Sequence, residues 1–533
     1  MRKDEIPSII KHNDVEKRDY QIDIFKKIKV NNSLVVLPTG LGKTLIGVYL
    51  LGEKLEKGIK TIFMAPTKPL CEQHRDLVSN VTNIEEDKLK LITGELFTPD
   101  ERKEIWDQNY EVYFATPQVV NNDLKYVNLS VIGLMIFDEA HRASGDYAYV
   151  EIAKACKERA QFLGLTASPA TSFDDLVEVC ANLYIEKIEV RKEDSDDVKP
   201  FVSDKMIRWI KIEKSEEIKM IEGKLDDVLE NFLTDLKKYS KRLRMKDFDN
   251  IGKSVLIDLQ ENLQTRIKKK NSPGYLYHAL SLAAATIKLM HLKELILTQG
   301  IDSAHSYFLK LKEEDSRASK YIRKKDKFDE VGEKLLDLKT MPIDINKKLD
   351  RLKNILRDEL GEGKAMIFAQ YRDTVDHLVK ELKGFEEVNP ARLVGQSENA
   401  DREGMSQDEQ KRVIEKFENE DINVLVSTSI GEEGLDIPSN ELVIFYEPVP
   451  SAIRYIQRKG RTGRNNMPGK VYVLLTVDSK DEIYQWKSYN EERKMFDHVY
   501  QLKERLEKSQ EPKKKIQSLR KKIVSEQKKL MNF

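Results

Sequence analysis

Three clusters in this sequence carry residue types that can do chemistry. The first is Leu34-Val-Val-Leu-Pro-Thr-Gly-Leu-Gly-Lys-Thr44. An apolar stretch runs into Thr39, Gly40 and Gly42, then Lys43 and Thr44, and a helical pattern follows. Such a loop turns backbone N–H groups toward phosphate oxygens, with a helix N-terminus behind them. Lys43 is the candidate for holding β- and γ-phosphates, and Thr44 for ligating Mg²⁺. The strict pattern G-x-x-x-x-G-K-S/T wants Gly where this chain has Leu37, so the loop is a relaxed form. The second cluster is Asp138-Glu139-Ala140-His141, at the end of the apolar run Val131–Phe137. Two adjacent carboxylates at the mouth of a sheet are costly unless a cation or a catalytic role compensates. Asp138 is the candidate for holding Mg²⁺ through its water shell, and Glu139 for orienting or deprotonating an attacking water. His141 is the candidate sensor of nucleotide state. The third cluster is Gln457-Arg-Lys-Gly-Arg-Thr-Gly-Arg464. Arg461 and Arg464 lie three apart, a spacing that on a helix would put them on one face. A plain basic helix does not account for the glycines in this run.

The elements that must position these clusters show in the hydrophobic pattern. Ser33–Leu37, Thr61–Met64, Glu111–Phe114, Val131–Phe137 and Gln161–Leu165 read as buried strands. Each is followed by a loop and a helical pattern. This predicts an α/β lobe with a parallel sheet over residues 1–195, with ligands beyond the strand C-termini. Strand signals fade after Met206–Ile212, and long charged stretches such as Glu216–Arg244 and His291–Lys339 predict a mostly helical insertion over 196–340. Alternation returns in Ala365–Phe368, Val424–Ser427, Leu442–Tyr446 and Lys470–Leu475, which predicts a second parallel-sheet lobe over 341–490. Residues 491–533 read as a charged helical tail. The fold class is therefore α/β, two lobes with a helical domain between them.

Composition bounds the rest. A chain of 533 residues exceeds the size at which one core keeps growing. Lys+Arg and Asp+Glu both total 91, so a nucleic-acid partner requires locally concentrated positive charge. From Lys237 to Lys270 eleven basic residues face four acidic ones, which marks the insertion as a candidate phosphate-binding surface. Cys71, Cys156 and Cys180 are too widely spaced for a disulfide framework or a zinc site, which suits a reducing compartment. No apolar run reaches membrane-spanning length, and no signal peptide is evident, so the expectation is a cytoplasmic, nucleoid-associated protein.

These motifs, in this order, resemble the superfamily-two helicases, whose lobes are RecA-like. The resemblance implies that ATP binds between the lobes with Mg²⁺, and that Arg461 and Arg464 act as arginine fingers on the γ-phosphate, with Gln457 beside them. It implies that Arg18-Asp-Tyr-Gln21 contacts adenine through Arg18 and Gln21. Asp436, in Val424–Pro438, is placed by it on the ribose, and Thr428, Gly431 and Glu432 near strand or nucleotide. Ala65–Leu70, Thr93-Gly94 and Ala115–Gln118 resemble segments that grip the nucleic-acid backbone, and Thr166-Ala-Ser-Pro169 the segment coupling hydrolysis to lobe movement. The insertion narrows the resemblance to the archaeal Hef helicase and its eukaryotic relative FANCM, over roughly residues 15–490. That branch implies 3′-to-5′ movement on branched or forked DNA such as stalled forks and Holliday junctions. An RNA-dependent ATPase and a junction-binding scaffold without ATP turnover are the competing classes.

Hef-like proteins often add a nuclease with a Glu-Arg-Lys core followed by Asp. Glu101-Arg-Lys-Glu-Ile-Trp-Asp107 has that spacing but sits inside the first lobe, and Glu492–Asp497 is one residue short. The expectation is no nuclease in this chain, with a separate one as a possible partner. Gln527, Leu530 and Phe533 resemble the motif by which replication proteins dock on the sliding clamp PCNA.

Overall fold

The computed structural model describes residues 6–11, 15–245, 251–268, 273–298, 300–340, 347–386, 388–396, 404–432, 435, 437–463 and 468–508. Two parallel sheets organise them. The first contains β1 (Ser33–Val36), β2 (Lys60–Met64), β3 (Leu89–Ile92), β4 (Val112–Ala115), β5 (Ile132–Asp138), β6 (Gln161–Thr166) and β7 (Lys187–Val190), in the order β3-β4-β2-β5-β6-β1-β7. The second contains β8 (Lys205–Ile212), β9 (Ala365–Phe368), β10 (Pro390–Leu393), β11 (Val424–Ser427), β12 (Leu442–Phe445) and β13 (Gly469–Thr476), in the order β10-β11-β9-β12-β13-β8. Helices cover both faces, so the central strands are apolar on both sides. In β1, Leu34 and Val36 enter one core cluster while Val35 and the following Leu37 enter the other. That is the two-residue period of a strand buried on both faces.

The helical insertion is smaller than its pattern predicts. Its helices begin at Glu216, while β8 lies at the edge of the second sheet and pairs with β13 from Lys205↔Gly469 to Ile212↔Thr476. Only Ile212 of these eight residues is buried, so the strand signal read at Met206–Ile212 belongs to a largely exposed edge strand of the second sheet. The chain thus lays down one strand of the second sheet before leaving for the insertion. The helices Glu216–Lys237, Lys253–Ile267, Gly274–Thr298, Ile301–Glu313 and Asp326–Thr340 then pack around their own core, which includes Leu225, Phe232, Leu289 and Phe308.

The insertion is tied to the second lobe by charge. Glu294, on the insertion helix Gly274–Thr298, pairs with Lys253 and lies 3.5 Å from Lys480. Burial works to raise the Glu294 carboxyl, but His291, Lys253 and Lys480 hold it down at about 2. Lys253, one of the eleven basic residues of the insertion stretch, is therefore committed to Glu294.

The segment after 480 is not a detached tail. The helix Lys480–Glu507 starts against the second lobe, where Asp481 forms a buried 2.7 Å ion pair with Lys348. Its later turns carry Val499, Leu502 and Leu506 into the core of the first lobe. There Lys503 lies 3.4 Å from Glu189, and the Arg505 guanidinium sits 4.7 Å over the Phe173 ring. One helix therefore straps the two lobes together. Gln527, Leu530 and Phe533, read from the sequence as a clamp-docking motif, lie outside the described residues. No helix among the described residues is long and apolar enough to cross a membrane.

Leu502→Ala should remove about 2–5 kcal/mol of stability, read as a lowered urea midpoint of the first lobe by tryptophan fluorescence. The Glu294 carboxyl is depressed in the folded state. Its stabilising contribution is therefore complete above the ordinary value of 4.5 and lost as pH falls toward 2. Glu294→Gln should flatten the fall of thermal midpoint with acid in that window.

Candidate active site between the lobes

A cavity of about 880 Å³ lies between the two sheets. The first lobe lines it with Arg18, Gln21, Thr39, Gly40, Gly42, Lys43, Thr44, His74, Asp138 and Glu139, and the second with Glu432, Gln457 and Arg461. Of the residues singled out from the sequence, Asp436 and Arg464 lie outside the described residues.

Strand order explains this gathering. The loops after β1, β5 and β6 carry Lys43, Asp138-Glu139 and Thr166–Pro169, and those three strands are neighbours in the sheet. The segments after β2, β3 and β4, namely Ala65–Leu70, Thr93-Gly94 and Ala115–Gln118, leave the other half of the same edge. All parallel strands point their C-termini one way, so the two sets share an edge but not a position. Glu95, next to Gly94, accepts a 2.6 Å hydrogen bond from Gln407 of the second lobe, so this half also meets the opposite lobe.

The phosphate-loop helix Lys43–Leu55 starts from Gly42, whose φ of +73° is left-handed. A Cβ there would come within 2.3 Å of the Gln21 amide nitrogen. Gln21 in turn donates to the Leu41 carbonyl at 3.1 Å, so it braces the loop from behind. Its other amide atom, Oε1, is buried without a hydrogen-bond partner. That atom is an acceptor open to an amine donor. Arg18 stacks over Phe201 at 5.1 Å, and Tyr20 donates to the Leu41 carbonyl at 2.8 Å. Leu37, where the strict motif has Gly, continues the strand. It is fully buried, and its N–H donates to the Thr166 carbonyl at 3.1 Å.

The carboxylates stand at the end of β5. Asp138 is buried, with Oδ2 2.8 Å from His74 Nε2, and its backbone carbonyl accepts from Tyr149 at 2.7 Å. Glu139 has a φ of +47°, an uncommon conformation for a non-glycine residue, of the kind found at functional sites. Burial works to raise the Glu139 carboxyl, but His141, Lys43 and Arg142 outweigh it and hold it at about 2. His141 Nδ1 lies 3.2 Å from both Glu139 Oε2 and Thr166 Oγ1, so it joins the carboxylate loop to the loop after β6. The donor set of Thr44 hydroxyl, Asp138 and Glu139 carboxylates suits a hard cation such as Mg²⁺.

In the second lobe the basic helix Ala452–Lys459 is organised by Glu432. Its carboxylate takes Arg454 at 2.7 Å and Arg458 at 2.7 Å, and its backbone carbonyl takes the Arg461 guanidinium at 2.8 Å. Arg458 is completely buried, its guanidinium 4.9 Å from the Phe368 ring centroid, so it serves packing, whereas Arg461 reaches the cavity. Gly460 explains itself here. A Cβ on it would meet Thr39 Oγ1 at 2.2 Å, so the two lobes touch through a missing side chain. The Glu101–Asp107 run is also accounted for. Glu101 closes a capping box with Thr98, and Arg102 and Trp106 both bond the buried Asp123, at 2.7 and 3.1 Å. Glu492 pairs with Lys459 at 2.5 Å.

Fold and cleft together define a two-lobed nucleotide-dependent motor. Comparison with known proteins places it more closely. Residues 14–171 match the family model "Type III restriction enzyme, res subunit", 217–342 match "Putative ATP-dependent RNA helicase, helical bundle", and 347–466 match "Helicase conserved C-terminal domain". The crystal structure of the Pyrococcus furiosus Hef helicase domain superposes with a TM-score of 0.69 at 38% identity, over 90% of this chain and 100% of that one. A putative ATP-dependent RNA helicase of Methanocaldococcus jannaschii is 38% identical over 91% of this chain and 61% of its own length. The ATP-dependent DNA helicase fml1 of Schizosaccharomyces pombe is 30% identical over 86% of this chain and 57% of its own. The chain belongs to superfamily two of the ATP-dependent helicases, in the branch of the Hef helicase domain. It spans between 41% and 62% of the length of the curated relatives it matches.

Gly460→Ala should force the lobes apart at Thr39 and lower kcat for ATP hydrolysis by roughly 100-fold, since displacements near 1 Å at a reacting centre cost about that much. The melting temperature should stay close to that of the unsubstituted chain, because the contact is between lobes rather than within a core.

Proposed function

We propose that this protein is an ATP-driven DNA helicase that moves 3′ to 5′ and remodels branched DNA, such as stalled replication forks and Holliday junctions, in repair. The observation that carries the reading is the inter-lobe cavity, where Lys43, Thr44, Asp138 and Glu139 meet Gln457 and Arg461 from the other side. Gln21 and Arg18 bind the adenine end and Asp436 the ribose. Thr39, Gly40 and Gly42 bring backbone N–H groups to the phosphates, and Lys43 neutralises them. Mg²⁺, held by Thr44 and Asp138, supplies charge neutralisation at the phosphate oxygens when bound. Glu139 orients the attacking water and takes its proton. Arg461, with Arg464, stabilises charge on the phosphoryl group in flight. Closure of the lobes completes this set and hydrolysis undoes it. Because Glu95 and Gln407 join the strand-gripping half of the edge to the second lobe, the same motion advances the protein along a strand.

DNA is the favoured track because fml1 and the mph1 proteins are named DNA helicases, and because the basic insertion suits a phosphate-rich duplex. RNA is the second reading. It rests on the name of the Methanocaldococcus jannaschii relative and on the family model matched by the insertion. Work on nucleoid DNA, docking on PCNA through Gln527, Leu530 and Phe533, and a nuclease acting as a separate partner complete the proposal.

ATP turnover measured side by side with single strands, duplexes, forks, four-way junctions and matched RNA forks decides among these. Forks and junctions of DNA should stimulate most, and a preference for RNA forks would reverse the assignment. Lys43→Ala should cut turnover by roughly 100-fold or more; unchanged turnover would leave only a junction-binding scaffold.

A further inference from the structure

His74 sits in the helix Lys68–Val81, outside the motifs that the sequence marks as chemical. Its ring is 4% exposed and stacks on Phe63 of β2, with centroids 4.6 Å apart and planes at 29°. Its Nε2 lies 2.8 Å from Asp138 Oδ2, and both side chains line the nucleotide cavity. An ionised carboxylate only accepts hydrogen bonds, so Nε2 carries the proton and the imidazole donates.

We propose that His74 is a positioning residue for Asp138 and sets how tightly the cleft takes up a divalent cation. The inference rests on the reading of Asp138 as the cation's carboxylate. A free aspartate samples several orientations about its terminal torsion. The Phe63 stack fixes the imidazole plane, and the imidazole fixes one carboxylate oxygen. The other oxygen is left for the cation and its water shell. Partners of this kind, one bond removed from a ligand, hold it in the competent orientation and are worth about 10–100-fold in metal affinity. A residue that only filled space between β2 and β5 would need volume and no donor.

The test is binding of a fluorescent ADP analogue to the full chain, in EDTA and across a Mg²⁺ titration, with no turnover involved. For the unsubstituted protein, Mg²⁺ tightens the nucleotide. In His74→Leu, which keeps bulk without the donor, the Mg²⁺ concentration giving half of that tightening should rise about 10–100-fold, beyond any change in affinity measured in EDTA. His74→Gln presents an amide N–H near the position of Nε2 and should return to within about threefold. His74→Asn is too short to reach and should behave as Leu does, which keeps the comparison open should His74→Leu fail to fold. Wild-type Mg²⁺ dependence in folded Leu or Asn variants overturns the proposal. Asp138→Asn separates the two failures. If it abolishes the Mg²⁺ effect while His74→Leu does not, the role of His74 falls and that of Asp138 stands. If Asp138→Asn keeps the effect, both fall.

Discussion

Charge held away from water is the constraint around which this cleft is built. Asp138, Glu139, Glu432 and Arg458 are all buried or nearly so, and a buried charge is tolerated only when paired and hydrogen-bonded. Each therefore drags a partner with it. Asp138 takes His74, Glu139 takes His141, and Glu432 takes both Arg454 and Arg458. The partners of Asp138 and Glu432 come from other elements, so satisfying those charges also fixes an angle between a strand end and a helix. The reacting groups are rigid because their desolvation is already met within the protein.

The two halves of the first sheet divide labour along one edge. Loops after β1 and β5 line the cavity together with the helix that follows β2, while the segments after β3 and β4 leave the same edge further along. Neither half is isolated. The helix that follows the β2 loop carries His74 to Asp138 and so joins them. On the proposed function, a connection between nucleotide and strand needs no long path, since these loops are adjacent on a single sheet.

Much of this was legible in the order of residues, because central parallel strands are apolar runs and their chemistry sits just past their ends. β1, β5, β6, β9 and β11 stand out for that reason. The edge strands β3, β7 and β10 do not. β7 includes buried Glu189, whose charge is met in part by Lys503 from more than three hundred residues away, a partner that no local pattern records. The same limit applies to the site. Lys43, Asp138, Glu139 and Arg461 announce themselves by type and spacing, whereas His74 is a histidine in mid-helix that becomes meaningful only when β2 and β5 lie side by side. Arg458 and Arg461 look alike in sequence. Only the packing of Phe368 and Glu432 tells the buried arginine from the one at the cleft.

The strap helix has a consequence for motion. Its first turns are anchored by Asp481 in one lobe and its last by Leu502 and Leu506 in the other. A helix resists stretching far more than bending, so the distance between those anchors is close to fixed. The lobes can swing about this tether like two halves of a book about its spine, but they cannot drift apart without pulling leucines out of a core. A small rotation near the spine would open the far side of the cleft widely, with the anchors holding the lobes in alignment.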